Sequence, residues 1–235
     1  MTKLSIFMVT LLTISSCSFS YTRPKKLTSE TRTVDYNYDQ LLVSNAIDVI
    51  YIPDSIDNIS VSAEADELKK ISIENNHGAL TIKRASHLFS MNHSSNVTVT
   101  IHHSRLKDVS LSGASDFTNK DTLVSEHFTL KLSGASDAHI HIKAVDIESI
   151  ISGASDATMA GYCKNLTLIS SGASDFDGSR LNNLNTDVQI SGASSAKLYT
   201  INSLKGNVSG ASELVYKGNP TKDLNPSGSS EIIQK

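Results

Sequence analysis

Ser112-Gly113-Ala114-Ser115 returns as Ser133-Gly134-Ala135-Ser136, Ser152-Gly153-Ala154-Ser155, Ser171-Gly172-Ala173-Ser174, Ser191-Gly192-Ala193-Ser194 and Ser209-Gly210-Ala211-Ser212, and closes on the variant Ser227-Gly228-Ser229-Ser230. The glycines stand 21, 19, 19, 20, 18 and 18 residues apart. A period near 20 that drifts by a residue or two assigns one solenoid coil to each repeat, with the length changes absorbed in turns. A propeller blade needs about twice that period.

The residues around the tetrapeptides align by face. Two positions after each one stand Phe117, Ala138, Ala157, Phe176, Ala196, Leu214 and Ile232, all apolar, and this column faces inward. Two positions before the glycines stand Leu111, Leu132, Ile151, Ser170, Ile190, Val208 and Pro226, a second inward column. Glycine supplies a backbone geometry or a close approach that a Cβ would prevent. Neighbouring coils about 4.8 Å apart then pair as parallel strands. The expected fold is all-β, a parallel β-helix (single-stranded β-solenoid) with about 20 residues per coil.

Working outward, residues 34–111 read as successive strands. Ile47 to Ile52, Ile59 to Ser62, Ile71 to Ile73, Leu80 to Ile82 and Val97 to Ile101 largely alternate, with polar turns between them. Ala63 to Lys70 is the one stretch that reads as a helical turn. The expected body is therefore 34–235, with N-terminal strands over 34–111 and seven repeats over 112–235.

The first residues carry an address. Lys3 precedes an apolar run from Leu4 to Ile14, followed by Ser15, Ser16 and Cys17. The run is too short to span hydrocarbon and follows the order of an export signal, so residues 1–16 read as a signal peptide. Cys17 after two small residues resembles the lipobox of bacterial lipoproteins, whose cysteine is acylated. Two or three acyl chains hold far more firmly than one. Residues 17–33 read as a lipidated, solvated tether with a basic cluster at Arg23, Lys25 and Lys26. Cys163 is the only other cysteine, which excludes a disulfide framework once Cys17 is acylated and suits a small apolar core residue.

With a net charge of −3 and scattered Lys and Arg, the chain lacks an electrostatic footprint for nucleic acid. Aromatics make up 6% and Trp is absent, so flat stacking platforms are scarce.

The alternating first half, the seven turns and the penultimate Leu214-Val215-Tyr216-Lys217-Gly218-Asn219-Pro220 resemble the family described as putative auto-transporter adhesin, head GIN domain, over about residues 34 to 235. The resemblance implies a right-handed β-helix, an envelope location in Bacteroidota-like bacteria and a role in adhesion or binding. It brings no catalytic residue to carry over. Surface export of lipoproteins in such bacteria favours acidic residues after the lipidated cysteine. Ser18-Phe19-Ser20-Tyr21 follow here, which points to the periplasmic face of the outer membrane, with surface exposure as the alternative.

Three features could carry chemistry. The residue after each tetrapeptide is Asp116, Asp137, Asp156, Asp175, Ser195, Glu213 and Glu231. Stacked about 4.8 Å apart, aspartates repel and must be wet or neutralised by a cation. Calcium is the candidate ion, although the glycine-rich nonapeptide of calcium β-rolls is missing and Ser195 interrupts the row. Outside that option no cofactor or metal is expected. His139 and His141 flank Ile140 on one outward strand face, without matching ligands in the adjacent repeats. The last half-coil, Glu231-Ile232-Ile233, offers a strand edge through which a second copy could pair.

Some β-helices are calcium-dependent polysaccharide lyases, and the fold alone would allow that chemistry. Few residues lie outside the coils to build a deep cleft, and no triad, nucleophile elbow, phosphate loop or zinc signature is present. The expectation is a non-catalytic envelope lipoprotein that binds a glycan or protein partner. A structural scaffold without a specific ligand is the alternative, and a calcium-dependent polysaccharide-active enzyme a more distant one.

Overall fold

The computed structural model describes residues 26–85 and 96–235, so the expected signal peptide, Cys17 and the adjoining tether to residue 25 lie outside the described residues. The elements are β1 (Leu27–Arg32), β2 (Gln40–Ser44), β3 (Asp48–Ile52), β4 (Asn58–Glu64), α1 (Ala65–Leu68), β5 (Ile71–Asn76), β6 (Ala79–Arg84), β7 (Thr98–His102), β8 (Asp108–Ser112) and β9 (Asp116–Asn119). They continue as β10 (Leu123–Leu132), β11 (Asp137–Ile151), β12 (Asp156–Ser170), β13 (Asp175–Ile190), β14 (Ser195–Val208), β15 (Glu213–Lys217), β16 (Thr221–Pro226) and β17 (Glu231–Gln234).

From β8 onward the chain climbs one coil per repeat, and the expected β-solenoid is what forms. Asp137 of β11 pairs in parallel register with Asp156 of β12, and the pairing runs to Ile151 opposite Ser170. Within a coil the inward residues Ala138, Ile140, Ile142 and Ala144 alternate, then the phase slips. Val145 and Asp146 both lie outside, and Ile147, Ser149 and Ile151 resume the inward rhythm. That slip is a corner: each coil has one strand segment after the glycine turn and another before the next. The 20-residue interval from Gly172 to Gly192 is absorbed as register irregularities around Gly178 to Asn182.

The N-terminal part obeys a different order. β2 lies between β6 and β8, and β3 between β7 and β9, all parallel. The β2–β3 coil is therefore sandwiched between a later coil and the first repeat. The chain reaches the far side through β4, α1 and β5, and there it pairs antiparallel: β4 on β7, β5 on β6, and β1 on β4. The outermost strands at this end are thus antiparallel ones, which closes the stack differently from its repeats. Residues 27–32, expected in the tether, form β1, because Leu27 to Arg32 find a free edge on β4. The helical turn expected within residues 63–70 is the single turn of α1.

One apolar core runs the length of the stack, with Tyr51, Phe117, Phe128 and Phe176 fully buried. Each such side chain contributes about 2–3 kcal/mol through the area it removes from water. At Tyr51 and Phe117 the rings stack with centroids 6.1 Å apart, joining the N-terminal coil to the first repeat.

Candidate functional site

The repeated tetrapeptide builds a closed backbone corner. Gly134 has φ +82°, and a Cβ placed there would sit 2.6 Å from the Gly113 carbonyl oxygen. That oxygen instead accepts the Ala135 N–H at 2.9 Å, and the same bond recurs from coil to coil up to Ser229 on Gly210. The last serine of the first six tetrapeptides turns inward: Ser115, Ser136, Ser155, Ser174, Ser194 and Ser212 are all buried. Ser136 donates its hydroxyl to the Ser133 carbonyl at 3.0 Å, and its own N–H donates to the Ser155 Oγ at 3.1 Å. These serines close the turn, and none is set up as a nucleophile.

The turn column has a further member. Ser44-Asn45-Ala46-Ile47-Asp48 is a degenerate copy of Ser-Gly-Ala-Ser-Asp, with Ser44 in register with Ser112 and Asp48 with Asp116. Asn45 takes the left-handed conformation at φ 69°, which asparagine tolerates better than most residues. The acidic column thus begins at Asp48 and runs through Asp116, Asp137, Asp156 and Asp175 to Ser195, Glu213 and Glu231. Burial raises the Asp48 and Asp116 carboxyls above the ordinary range, helped by the next aspartate in the row in each case. Ser195 donates its hydroxyl to Asp175 at 2.8 Å, and the Asp175 N–H donates to Asp156 at 3.2 Å. Among the described residues no three His, Cys, Asp or Glu side chains converge as a metal site would require. One carboxylate per rung, repeated, is what the column presents.

His139 lies in register between Thr118 and Thr158, and both it and His141 point outward. His141 has Thr122 Oγ1 at 2.7 Å from its Nδ1. Cys163 is buried, donates to Asn183 Oδ1 at 2.9 Å, and has its thiol pushed up to about 12 by burial, with Asp146 adding to the effect. It is a core residue without thiolate character.

The corner opposite the turns carries a second polar column that does not stand out as a repeat. His127, Asp146, Asn165, Asn185 and Ser203 stack in register, one per coil. They are joined side chain to side chain. His127 Nδ1 lies 2.9 Å from Asp146, Asn165 donates to Asp146 at 2.7 Å, Asn185 to Asn165 at 3.0 Å, and Ser203 to Asn185 at 3.0 Å. Each stands seven residues before the next turn glycine. Two adjoining hollows, of about 370 and 290 Å³, lie along this column and share Asn165 and Thr167.

The N-terminal end holds buried polar pairs. His103 is buried, with Asp57 at 2.6 Å from Nδ1 and the Tyr38 carbonyl at 2.9 Å from Nε2. His102 meets Asp54 at 2.7 Å. Both pairs pin the loop between β3 and β4. Arg84, also buried, is held by Glu67 of α1, with Nε donating at 2.9 Å. A shallow apolar hollow of about 470 Å³ lies further along the strands of the second polar column toward the turns, between Leu42 and Ile150. Among the described residues no helix is long and apolar enough to cross a membrane.

The model of the family described as putative auto-transporter adhesin, head GIN domain, matches residues 37–220. The chain belongs to this family. No curated protein matches it. Solved structures share the fold at low identity. A putative adhesin from Bacteroides fragilis aligns with a TM-score of 0.83 and 16% identity over 90% of this chain and 98% of its own. A putative adhesin from Parabacteroides distasonis gives 0.70 and 22% over 90% and 98%. A protein from the same species, described as a putative lipid binding protein, gives 0.70 and 14% over 89% and 96%. This head GIN domain therefore has the β-solenoid expected from its repeats.

Proposed function

We propose that this head GIN domain protein is a non-catalytic adhesin or binding module of the cell envelope, anchored by lipid on Cys17 at the outer membrane. The observation that carries the reading is the family match over residues 37–220, joined to a body whose exposed surface is almost wholly side-chain columns on a rigid stack. Such a surface suits repeated weak contacts along a partner more than chemistry in a cleft. The polar groups that repeat, the inward serines and outward aspartates, serve turns and solvent. Nothing in them pairs a base with a nucleophile.

The periplasmic face of the outer membrane is the proposed location, from the residues that follow Cys17. The partner is a glycan or a protein, and a second copy could pair along β16 and β17, the last strands of the stack. The functional test is attachment. Cells producing the full-length protein should hold to a glycan-coated surface better than cells lacking it, and added purified protein should compete. Equal attachment by both would refute the adhesin reading. Cys17→Ser should release the protein from membranes, and unchanged membrane retention would remove the lipid anchor. Removing the last nine residues should reduce assembly if copies pair through that edge, and an unchanged assembly state would end that idea.

A further inference from the structure

We infer that the column His127, Asp146, Asn165, Asn185 and Ser203, with its neighbour Thr129, Glu148, Thr167, Asp187 and Lys205, is the floor and wall of a binding trench for a linear, uncharged glycan strand. The inference rests on the binding-module reading and names the face and the ligand class.

The two columns stand two residues apart on the same outward face, with their Cα atoms about 7 Å apart. The five rungs run for about 19 Å along the stack at about 4.8 Å each. The adjoining hollows at this face show that the space is concave. One rung of coil advances by about the length that one pyranose adds to an extended chain, so the sugars keep step with the rungs.

The chemistry of the lining selects the ligand. The first column is fixed in place by its own hydrogen bonds, which orient amide, carboxylate and hydroxyl groups before anything binds. In the second column Thr129, Glu148 and Thr167 have no side-chain partner among the described residues, which leaves them to meet ligand hydroxyls. The lining is net negative, with Asp146, Glu148 and Asp187 set against the one lysine, Lys205. Asp146 is met by Asn165 and His127, Asp187 by Lys205 at 3.2 Å, and Glu148 stands alone. That remaining negative charge disfavours uronate or sulfated chains. The inward residues Phe128, Ile147 and Leu166 form the base of the hollows but are buried, so they offer a peptide's apolar side chains little area. The backbone of these coils is already paired to both sides, so a peptide cannot bind there by strand addition. Hydroxyl-rich, uncharged and linear is what remains.

The test is affinity electrophoresis of the purified full-length protein through gels containing a soluble neutral β-glucan, galactomannan or arabinoxylan, with polygalacturonate as the charged control. Retardation is expected in at least one neutral gel and not in polygalacturonate. Glu148→Ala combined with Thr167→Ala, both at exposed positions, should weaken that retention about tenfold or more. Asp137→Ala combined with Asp156→Ala, on the acidic column, should leave it unchanged. Equal retention of both double variants overturns the trench, as does retardation only by polygalacturonate or by none of the gels. If the cell-attachment test succeeds while these gels show nothing, the adhesin reading stands and the trench falls. If both fail, both fall.

Discussion

The two ends of the stack are built on different rules. Between Ser112 and the C-terminus every coil repeats the turn of the one before it, and glycines lock the copies together. Between Leu27 and Leu111 the coils are visited out of order, the outer strands run antiparallel, and polar pairs such as Arg84 with Glu67 and His103 with Asp57 hold the pieces. A repeat can be closed by steric necessity at each rung. A cap that occurs once needs specific pairs.

The largest effect should come from breaking a rung. Gly153→Val puts a β-branched side chain at φ +82°, with its Cβ 2.5 Å from the Gly134 carbonyl oxygen. A loss of about 4 kcal/mol or more is expected in urea unfolding, or no folded protein at all. A loss below 1 kcal/mol would show that the turn column is slack. Next is the cap. Glu67→Gln takes the α1 carboxylate away from the buried Arg84 and from Lys70 and should cost about 2 kcal/mol, read as a lower urea midpoint.

The cap and the acidic row should also answer pH in opposite directions. Burial pushes the Glu67 carboxyl up, but hydrogen bonds from Lys70 and Arg84 outweigh it and hold the group below its ordinary range. Its stabilisation is present above the unfolded carboxylate range and lost as pH falls, so acid should loosen the cap. Asp48 and Asp116 are raised, so they favour folding at low pH and that contribution is lost as pH rises through their folded values. Asp116→Asn should therefore stabilise the protein at neutral pH by about 0.5 kcal/mol, since solvent screens the row, and the gain should vanish in acid. Destabilisation by Asp116→Asn at neutral pH would mean the aspartate makes a favourable contact that the column does not show. The smallest expected effect is that of calcium. One carboxylate per rung gives it no cage, so millimolar calcium should leave the melting temperature unchanged, whereas a rise of many degrees would make the row an ion site.

Much of this was legible in residue order, and the reason lies in repetition. The glycine turns announce themselves because the same backbone contact recurs six times, and in those six rungs a Cβ would collide with the glycine before it. Asn45 hides the further copy, since a residue tolerant of positive φ replaces glycine and Ile47 replaces the inward serine. The opposite corner is hidden for another reason. His127, Asp146, Asn165, Asn185 and Ser203 share polarity but not identity, and the drift in coil length blurs them when counted forward from a turn. Counted backward from the next glycine, they fall at one fixed offset. The stacking order of β6 and β7 outside β2 and β3 has no local signal at all. It depends on which edge the returning chain finds free, a property of the assembled fold.

The most direct test of the account is to incubate the full-length protein with the neutral polysaccharide that retains it, then measure both bound protein and polymer length. Reversible binding with the polymer left intact is the predicted result. Shortened chains or new reducing ends, abolished by changes on the solenoid surface, would contradict the account and make this head GIN domain an enzyme.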